Sequence, residues 1–332
     1  MTEIDRPILI VGMPRSGTTW LGKIFDSHPS SLYRHEPDTW QLLSSIPLFA
    51  PRTASEADRK VLREFLAGLP SVTADRVCGK RPFFPKDYAS LLGVRSYAAR
   101  SLLHKALASV GVTGQPPVPP QPRSGSRFRL VWKSIESLGR TGLLMDALPE
   151  SRVVRIVRHP AGYVASVLRG ESQKRFGHNQ AAWDFELYRM MCQTEQAQRH
   201  GLSEEYLRSC TPEERLAWRW VVYNEKASEE SEGQRNATSV LYEELCAEPS
   251  RVVSDLFDFC ELSWNSQTAA FLDASTSDTK SDYYSVFKNP IESAWRWQSQ
   301  LDEGVTNRIM AVVEKSILAA PYRVKSAWNK SA

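Results

Sequence analysis

Short apolar runs alternate with stretches of helical periodicity along this chain. The first run, residues 7–11 (Pro-Ile-Leu-Ile-Val), is continuously apolar, which is typical of a strand buried on both faces of a parallel sheet. It ends at Gly12 and is followed by a polar loop and by helical spacing from Thr18 to about Phe25. The pattern therefore predicts a strand, a glycine-bounded loop and a helix at the start of the chain.

Later runs have the same character. Residues 128–132, 152–157 and 239–242 read as further strands, and residues 138–148 read as a crossover helix that stops at Pro149. A helix over 252–259 follows the last of these strands. Strands that alternate with helices favour an α/β fold, in which a doubly wound parallel sheet is flanked by helices on both faces.

Long segments interrupt this alternation. Residues 40–125 combine helical stretches with a proline run at 115–122, which predicts an extended, exposed connector. Residues 171–235 are polar and mostly helical, with a helix from Pro212 to about Ala227. A last helix is expected over 309–318. We expect one domain over residues 1–332, with the insertions forming a cap over one edge of the sheet.

Composition excludes several classes of protein. Of 332 residues, 42% are hydrophobic and 24% are charged, which is ordinary for a globular chain. Lys and Arg exceed Asp and Glu only by 42 to 38, too few for a nucleic-acid coat. Five cysteines without a C-x-x-C pair, and six histidines without ligand spacing, argue against structural zinc and favour free thiols. Without a signal peptide or an apolar stretch of 18 residues, we expect a cytoplasmic protein with no membrane span.

The first loop carries the strongest chemical signal. Gly12-x4-Gly17-Thr18-Thr19 resembles the nucleotide P-loop G-x-x-x-x-G-K-[ST], but Thr18 stands in the lysine position. The backbone N–H groups and the helix N-terminus still form a phosphate cradle, and Arg15 supplies positive charge within the loop. The missing lysine disfavours ordinary ATP or GTP hydrolysis. A tight turn that merely starts a helix is the alternative interpretation.

A second signal follows the strand at 152–157. Arg158-His159-Pro160, with Ser166 about two helical turns later, has the residue types needed to clamp a second phosphate. An ordinary proline-initiated helix explains the same residues without any ligand. Taken together, the two motifs indicate a nucleotide that carries phosphates at two separated positions.

These motifs carry a resemblance to a known family. Residues 14–20 (Pro-Arg-Ser-Gly-Thr-Thr-Trp) resemble the 5′-phosphosulfate loop of sulfotransferases, and residues 152–166 are similar to their 3′-phosphate motif. The resemblance implies a P-loop-like, three-layer fold and an enzyme that moves a sulfuryl group from 3′-phosphoadenosine-5′-phosphosulfate (PAPS) to an organic hydroxyl, with no metal. The donor-binding residues that it implies are Arg15, Ser16, Gly17, Thr18, Thr19, Trp20, Arg158 and Ser166.

The catalytic residues implied by the resemblance depend on the branch. The cytosolic aryl sulfotransferases carry a Lys-Thr-His run, whereas this chain reads Lys133-Ser134-Ile135 and lacks that histidine. His35-Glu36-Pro37 resembles the carboxylate base of the carbohydrate and tyrosylprotein branch, which bacterial relatives share. The resemblance therefore implies Glu36 as the general base, with Lys133 and Arg15 stabilising the leaving group. Whether His35 assists Glu36 stays open.

Two late segments are similar to further donor contacts. Residues 241–245 resemble the family's Arg-Tyr-Glu-Asp-Leu run, with leucine in place of the arginine, and imply a nucleotide contact for Tyr242. Residues 284–288 and 295–297 resemble the loop that closes over the 3′-phosphate, which makes Ser285, Lys288 and Arg296 candidate ligands. Packed aromatics and solvated cations are the alternative.

Other functions and partners stay open at this stage. A P-loop small-molecule kinase would need a lysine at Thr18, and a catalytically silent nucleotide-binding protein would have Glu36 out of reach of the sulfate. The acceptor is a small molecule or a glycan: a carbohydrate, a glycoside, a lipid or another natural product. Lys80-Arg81, beside Phe83 and Phe84, either meets such an acceptor or forms a solvated charged loop. We expect no nucleic-acid partner, and the oligomeric state is not fixed by the sequence.

Overall fold

A parallel five-stranded sheet forms the centre of the fold. A computed structural model describes residues 6–40, 43–112, 114–122, 125–173, 180–277 and 289–322. The strands are β1 (Ile8–Gly12), β2 (Ser31–His35), β3 (Arg129–Ser134), β4 (Arg152–Val157) and β5 (Ala237–Leu241). Their order in the sheet is β2-β3-β1-β4-β5.

Helices surround the sheet. They are α1 (Thr18–Ser27), α2 (Pro37–Trp40), α3 (Glu56–Gly68), α4 (Asp75–Cys78), α5 (Leu91–Ser109), α6 (Thr141–Ala147), α7 (Pro160–Ser172), α8 (Phe185–Met191), α9 (Glu195–Arg199), α10 (Glu204–Ser209), α11 (Pro212–Ser231), α12 (Tyr242–Ala247), α13 (Pro249–Phe259), α14 (Ser266–Ser277), α15 (Pro290–Trp295), α16 (Trp297–Gln300) and α17 (Glu303–Val313). Short 3-10 helices cover Leu69–Ser71, Ser137–Arg140, Ala181–Trp183 and Ala320–Tyr322. Among the described residues, no helix is long and apolar enough to cross a bilayer.

The central strand explains the layering. All of β1 is buried, and its alternate side chains enter two separate apolar clusters. Ile8 and Ile10 join the cluster formed with α1 and α13, whereas Leu9 and Val11 join the cluster formed with α6, α7 and α11. Because successive strand residues point to opposite faces, a continuous apolar strand requires cover on both sides. The predicted three-layer α/β fold is confirmed.

The topology gathers the loops at one edge. All strand pairs are parallel, so their carboxyl ends share that edge. From β1 the chain runs through α1 to the outer strand β2 and returns as β3, whereas β4 lies on the other side of β1. Open α/β sheets bind ligands where neighbouring strands send their connections in opposite directions. In this sheet the loop after β1 lies at that position.

Most predicted elements are confirmed, with shifted ends. The last helix is the main correction, because it covers Glu303–Val313 and not residues 309–318. Its start is fixed by Asp302, whose side chain accepts a hydrogen bond of 2.8 Å from the backbone N–H of Val305. An Asp followed by Glu is a helix-start signal that the apolar periodicity alone overlooks. Similarly, the crossover helix begins with the 3-10 turn Ser137–Arg140 before α6.

Candidate active site

The loop after β1 is shaped as an anion cradle. Arg15 and Gly17 both adopt the left-handed conformation, with φ of 69° and 86°. The Ser16 N–H donates to the Met13 carbonyl at 3.2 Å, which closes the turn. The N-cap residue of α1 is Gly17, which has no side chain to cap the first N–H groups of the helix. Successive N–H groups in such a loop, at the positive end of a helix dipole, suit phosphate or sulfate oxygens.

Gly17 is required for two reasons. Its positive φ is costly for any other residue, and a Cβ at this position would lie 2.3 Å from Cδ2 of Tyr242. The Tyr242 ring, at the start of α12, therefore packs directly against the backbone of the cradle. The structure thus places Tyr242 beside the loop, and its contact with a nucleotide stays a prediction.

The two phosphate-type motifs meet in the fold. Arg158 Nη1 donates to the carbonyl oxygen of Arg15 at 2.9 Å, and Arg15 Nε donates to Ser166 Oγ at 3.3 Å. The Arg158 guanidinium also lies 4.9 Å from the centre of the Tyr242 ring. Its Nε is buried and has no hydrogen-bond partner among the described residues, which leaves one donor for a ligand. Arg15, Arg158, Ser166 and Tyr242 thus form one continuous surface.

The opposite side of the cradle holds an ion pair. Lys133, at the end of β3, contacts the carboxylate of Glu36, and its side chain is only 1% exposed. The Glu36 N–H donates to the Lys133 carbonyl at 2.8 Å, so backbone and side chains both join these residues. Burial lowers the pKa of Lys133, and the Glu36 charge opposes this effect. Glu36 has a φ of 50°, and such strain in a non-glycine residue is typical of functional sites.

His35 lies behind this pair. Its Nδ1 is 2.8 Å from the Tyr33 hydroxyl, and its Nε2 is 3.7 Å from Glu36 Oε1, which exceeds a direct hydrogen bond. Burial lowers the pKa of His35 well below the usual range, and the charges of Lys133 and Lys80 add to this effect. His35 is therefore neutral at pH 7. It borders Glu36 but does not bind it.

Sequence reasoning missed Asp38, which fixes the position of the ion pair. Its carboxylate is buried in α2 and accepts hydrogen bonds from Trp132 Nε1 at 3.2 Å and from Ser137 Oγ at 2.7 Å. Ser134 Oγ also donates to it. These bonds lock the segment after β2 onto the end of β3, so Glu36 and Lys133 cannot drift apart. The signal was available, since an acidic residue directly after Glu-Pro occupies the first turn of a helix.

Lys80 lies within electrostatic range of the same pair. Burial and the charge of Lys133 lower its pKa, whereas the charge of Glu36 raises it. The Lys80 carbonyl accepts a hydrogen bond of 3.0 Å from Lys23, whose ammonium contacts Asp26. The segment around Lys80 is thus anchored to α1 beside the candidate site.

A second carboxyl group supports the start of α7. The backbone N–H of His159 donates to Glu243 Oε1 at 3.0 Å, and the His159 ring stacks on Trp297 at a centroid distance of 4.5 Å. Burial raises the pKa of Glu243 to about 7. Glu243 follows Tyr242 directly, so one short segment holds both the cradle and the turn that carries Arg158.

The other residues predicted to bind the sulfuryl donor are buried in α1, make contacts outside the cradle or lie outside the described residues. Thr18 is buried in α1, and Trp20 Nε1 donates to Ser275 Oγ at 3.1 Å. Arg296 pairs with Glu292 at 2.9 Å near the surface. Ser285 and Lys288 lie outside the described residues.

The site assembles distinct chemical groups at one sheet edge. A carboxylate, a buried ammonium, arginine side chains and backbone N–H donors all surround the loop after β1. Such a set can bind an anionic nucleotide and remove a proton from an acceptor. Within the described ranges, no three His, Cys, Asp or Glu residues form a group that could hold a metal ion.

Comparisons with known proteins agree with this chemistry. A family model described as the sulfotransferase family matches residues 7–266. A search of curated proteins found no matching sequence.

Solved structures with a similar arrangement include several sulfotransferases. A sulfotransferase from Alicyclobacillus acidocaldarius is 17% identical, with 97% of this chain and 98% of that chain covered and a TM-score of 0.43. The sulfotransferase domain from the curacin biosynthetic pathway is 15% identical, with coverage of 94% and 99% and a TM-score of 0.45. A mouse sulfotransferase complexed with PAP is 12% identical, with coverage of 94% and 84% and a TM-score of 0.46.

These structural similarities are too distant to carry a conclusion about the family or about individual residues. The assignment of the chain to a family rests on the family model. That model covers well over half of the chain, including β1 to β5 and every helix from α1 to α13. The protein therefore belongs to the sulfotransferase family.

Proposed function

We propose that this protein transfers a sulfuryl group from PAPS to a hydroxyl group of an organic acceptor, which is a carbohydrate, a glycoside, a lipid or another natural product. The observation that carries this proposal is the Glu36–Lys133 pair beside the loop that contains Arg15. PAPS supplies an activated sulfuryl group on a phosphate leaving group. Glu36 is the base, and Lys133 and Arg15 are the cations at the leaving group.

The donor fits residues of this structure. The loop from Ser16 to Trp20, with Gly17 pressed against Tyr242, supports a 5′-phosphosulfate group. Arg158, with its buried unpartnered Nε, and Ser166 support the 3′-phosphate. Ser285, Lys288 and Arg296 complete the proposed set of donor ligands.

Each catalytic group has a separate task. The Glu36 carboxylate accepts the proton of the acceptor hydroxyl, and contact with Lys133 holds that carboxylate in place. The Lys133 ammonium has three N–H donors, so it can hold Glu36 and still face a developing negative charge. Fixed donors that already point to that charge lower the barrier without reorganisation.

The decisive experiment is a transfer assay. The protein is incubated with sulfur-labelled PAPS and a panel of sugars, phenols and lipid alcohols, and products are identified by mass. We expect a sulfated product with PAPS. When ATP and Mg²⁺ replace PAPS, we expect no phosphorylated product. Phosphoryl transfer would instead support a kinase, and binding of PAPS without turnover of any kind would support a silent nucleotide-binding protein.

A further inference from the structure

Helix α11 crosses the edge of the sheet that carries the candidate active site. Trp220 Nε1 donates to the carbonyl oxygen of Arg158 at 2.9 Å, and Asn224 Nδ2 lies 3.5 Å from the sulfur of Met13. Arg219 and Tyr223 each precede one of these residues and lie four positions apart, so they share the adjacent strip of the helix. The Arg219 guanidinium lies 5.8 Å from the Tyr223 ring centre.

Apart from the Tyr223 ring, Arg219 has no polar partner among the described residues. The residue is half-buried, its Nε is enclosed, and its guanidinium makes no hydrogen bond or ion pair with any described residue. Nearby carboxylates are already engaged, because Asp184 caps α8 through the Leu187 N–H and Glu171 accepts the Ala182 N–H. An enclosed donor without a partner is costly, and in native structures such a group calls for an explanation such as a functional role or a bound water or ion.

Glu136 is the complementary group. It lies two residues beyond the end of β3, and its backbone N–H is held by Ser134 Oγ at 3.1 Å. The 3-10 turn Ser137–Arg140 follows Glu136 directly and packs against α11, which carries Arg219. Burial and the charge of Asp38 raise the pKa of Glu136, whereas the charge of Arg219 lowers it. Within the described part of the chain, the Glu136 carboxylate has no hydrogen-bond or ion-pair partner either.

Aromatic side chains complete this cluster. Tyr223 packs on Phe49 with ring centres 4.6 Å apart, and Tyr163 is buried in α7 within electrostatic range of Arg219. We call Arg219, Glu136, Tyr163 and Tyr223 the Arg219 cluster. In this cluster a donor and an acceptor that bond no described side chain lie beside buried aromatic rings.

The chemistry of the cluster selects a ligand class. Glu136 would repel a purely anionic group, and Arg219 would repel a cationic one. A hydroxyl group both donates and accepts, so neighbouring hydroxyls satisfy both residues at once. We propose that the Arg219 cluster binds a polyhydroxylated acceptor, such as a sugar, through Arg219 and Glu136.

The position of Glu136 connects this cluster to the reaction. Glu136 is three residues from Lys133, which contacts Glu36, and the Glu36 charge contributes to raising the pKa of Glu136. A sugar held by Glu136 therefore places a hydroxyl near the proposed base. This inference rests on the proposed function, because it assigns the acceptor to the same site.

The test compares acceptors and variants. Methyl β-glucoside, 4-nitrophenol and 1-octanol are each assayed with PAPS, using the full chain and the variants Arg219→Ala, Arg219→Lys and Glu136→Ala. Arg199→Ala is the matched control, because Arg199, at the end of α9, forms an ion pair of 2.7 Å with Glu229 of α11 near the surface. Two measurements report on the donor site without an acceptor. They are the affinity for the product nucleotide 3′-phosphoadenosine-5′-phosphate (PAP) and the slow hydrolysis of PAPS by water.

We expect the glucoside to be the preferred probe. Arg219→Ala should raise KM for the glucoside at least tenfold, with PAP affinity and PAPS hydrolysis within twofold of the unmodified protein. Arg219→Lys should recover part of the loss, Glu136→Ala should also raise KM, and Arg199→Ala should change nothing. A purely structural role for Arg219 would instead weaken PAP binding and thermal stability in parallel.

Opposite results separate the two proposals. Preference for 4-nitrophenol or octanol, or an unchanged KM in Arg219→Ala, overturns the sugar subsite and leaves the sulfotransferase reaction standing. The same conclusion follows if PAPS is hydrolysed but the glucoside is never sulfated. If the protein neither binds PAP nor consumes PAPS, the proposed function fails, and the subsite fails with it.

Discussion

Lys133 and Glu36 form an ion pair although 97 positions separate them in the chain. They meet because β2 and β3 are parallel neighbours with His35 in register with Lys133, so the residue after β2 lies against the end of β3. The pair places a carboxylate and an ammonium group beside the loop after β1. We therefore expect different kinetic effects when each of the two residues is substituted.

Glu36→Gln tests the base. The substitution keeps the shape but removes the basicity, so turnover should fall about 10²–10⁴-fold while PAP affinity stays nearly unchanged. His35→Ala is the matched control and should be much milder, because His35 Nε2 is 3.7 Å from the carboxylate. Steady-state kinetics and calorimetry with PAP measure both effects. An inactive His35 variant beside an active Glu36 variant would make histidine the base.

Lys133→Ala separates catalysis from ground-state binding. If the ammonium stabilises the leaving group, kcat should fall on the order of 10²–10³-fold, as for the loss of an oxyanion donor. PAP should still bind, which calorimetry checks. Normal kcat with a raised KM for PAPS would mean that Lys133 only holds the ground state.

Arg158→Ala tests the recognition of the 3′-phosphate. The protein should bind PAP much more tightly than ADP, because Arg158 and Ser166 serve the additional phosphate. Loss of one charge-assisted contact should cost about 1.5–3 kcal/mol, which is about ten- to a hundredfold in PAP affinity. Equal calorimetric affinities of the unmodified protein for PAP and ADP would refute the donor assignment.

Gly17→Ala should disrupt the cradle. Both Gly17 and Gly111 have positive φ, of 86° and 83°, but only Gly17 would place a Cβ against Tyr242. Gly111→Ala therefore controls for the backbone cost, which is about 1–2 kcal/mol. Chemical unfolding should show a larger loss for Gly17→Ala, accompanied by loss of PAP binding. Equal losses of unfolding free energy in the two variants would show that the Tyr242 ring moves aside at little cost.

Glu243 should make stability depend on pH. Burial raises its pKa from 4.5 to about 7, so the folded state holds this proton more tightly than the unfolded chain. The stabilisation is complete below pH 4.5 and is lost as pH rises through about 7.

Glu243→Gln removes this titration. The variant should gain stability relative to the unmodified protein as pH rises from 5 to 8, by an amount on the order of 3 kcal/mol. Urea unfolding across this range measures the difference, and Glu244→Gln, which changes the half-buried neighbour, is the control. A difference that stays flat with pH would show that Glu243 is ionised in the folded state.

The amino-acid sequence by itself determined the architecture and the glycine-bounded loop after β1. A strand such as β1 is apolar at every position because both faces are covered, and Gly12 and Gly17 mark the turn that follows it. These are local patterns, and hydrophobic burial and backbone conformation act on them directly. The same locality explains why the end of the chain was predicted less well, since its last helix starts from a capping residue, Asp302.

Only the tertiary structure decided which side chains meet. The contact of Lys133 with Glu36 depends on the register of two strands, and the locking of that pair depends on Asp38, which bonds across the same strands. That Arg219 Nε is enclosed without a hydrogen-bond partner among the described residues depends on the side chains packed around α11. Such contacts join residues far apart in the chain, and their energies are settled by burial and pairing in the folded state. No local sequence pattern carries that information.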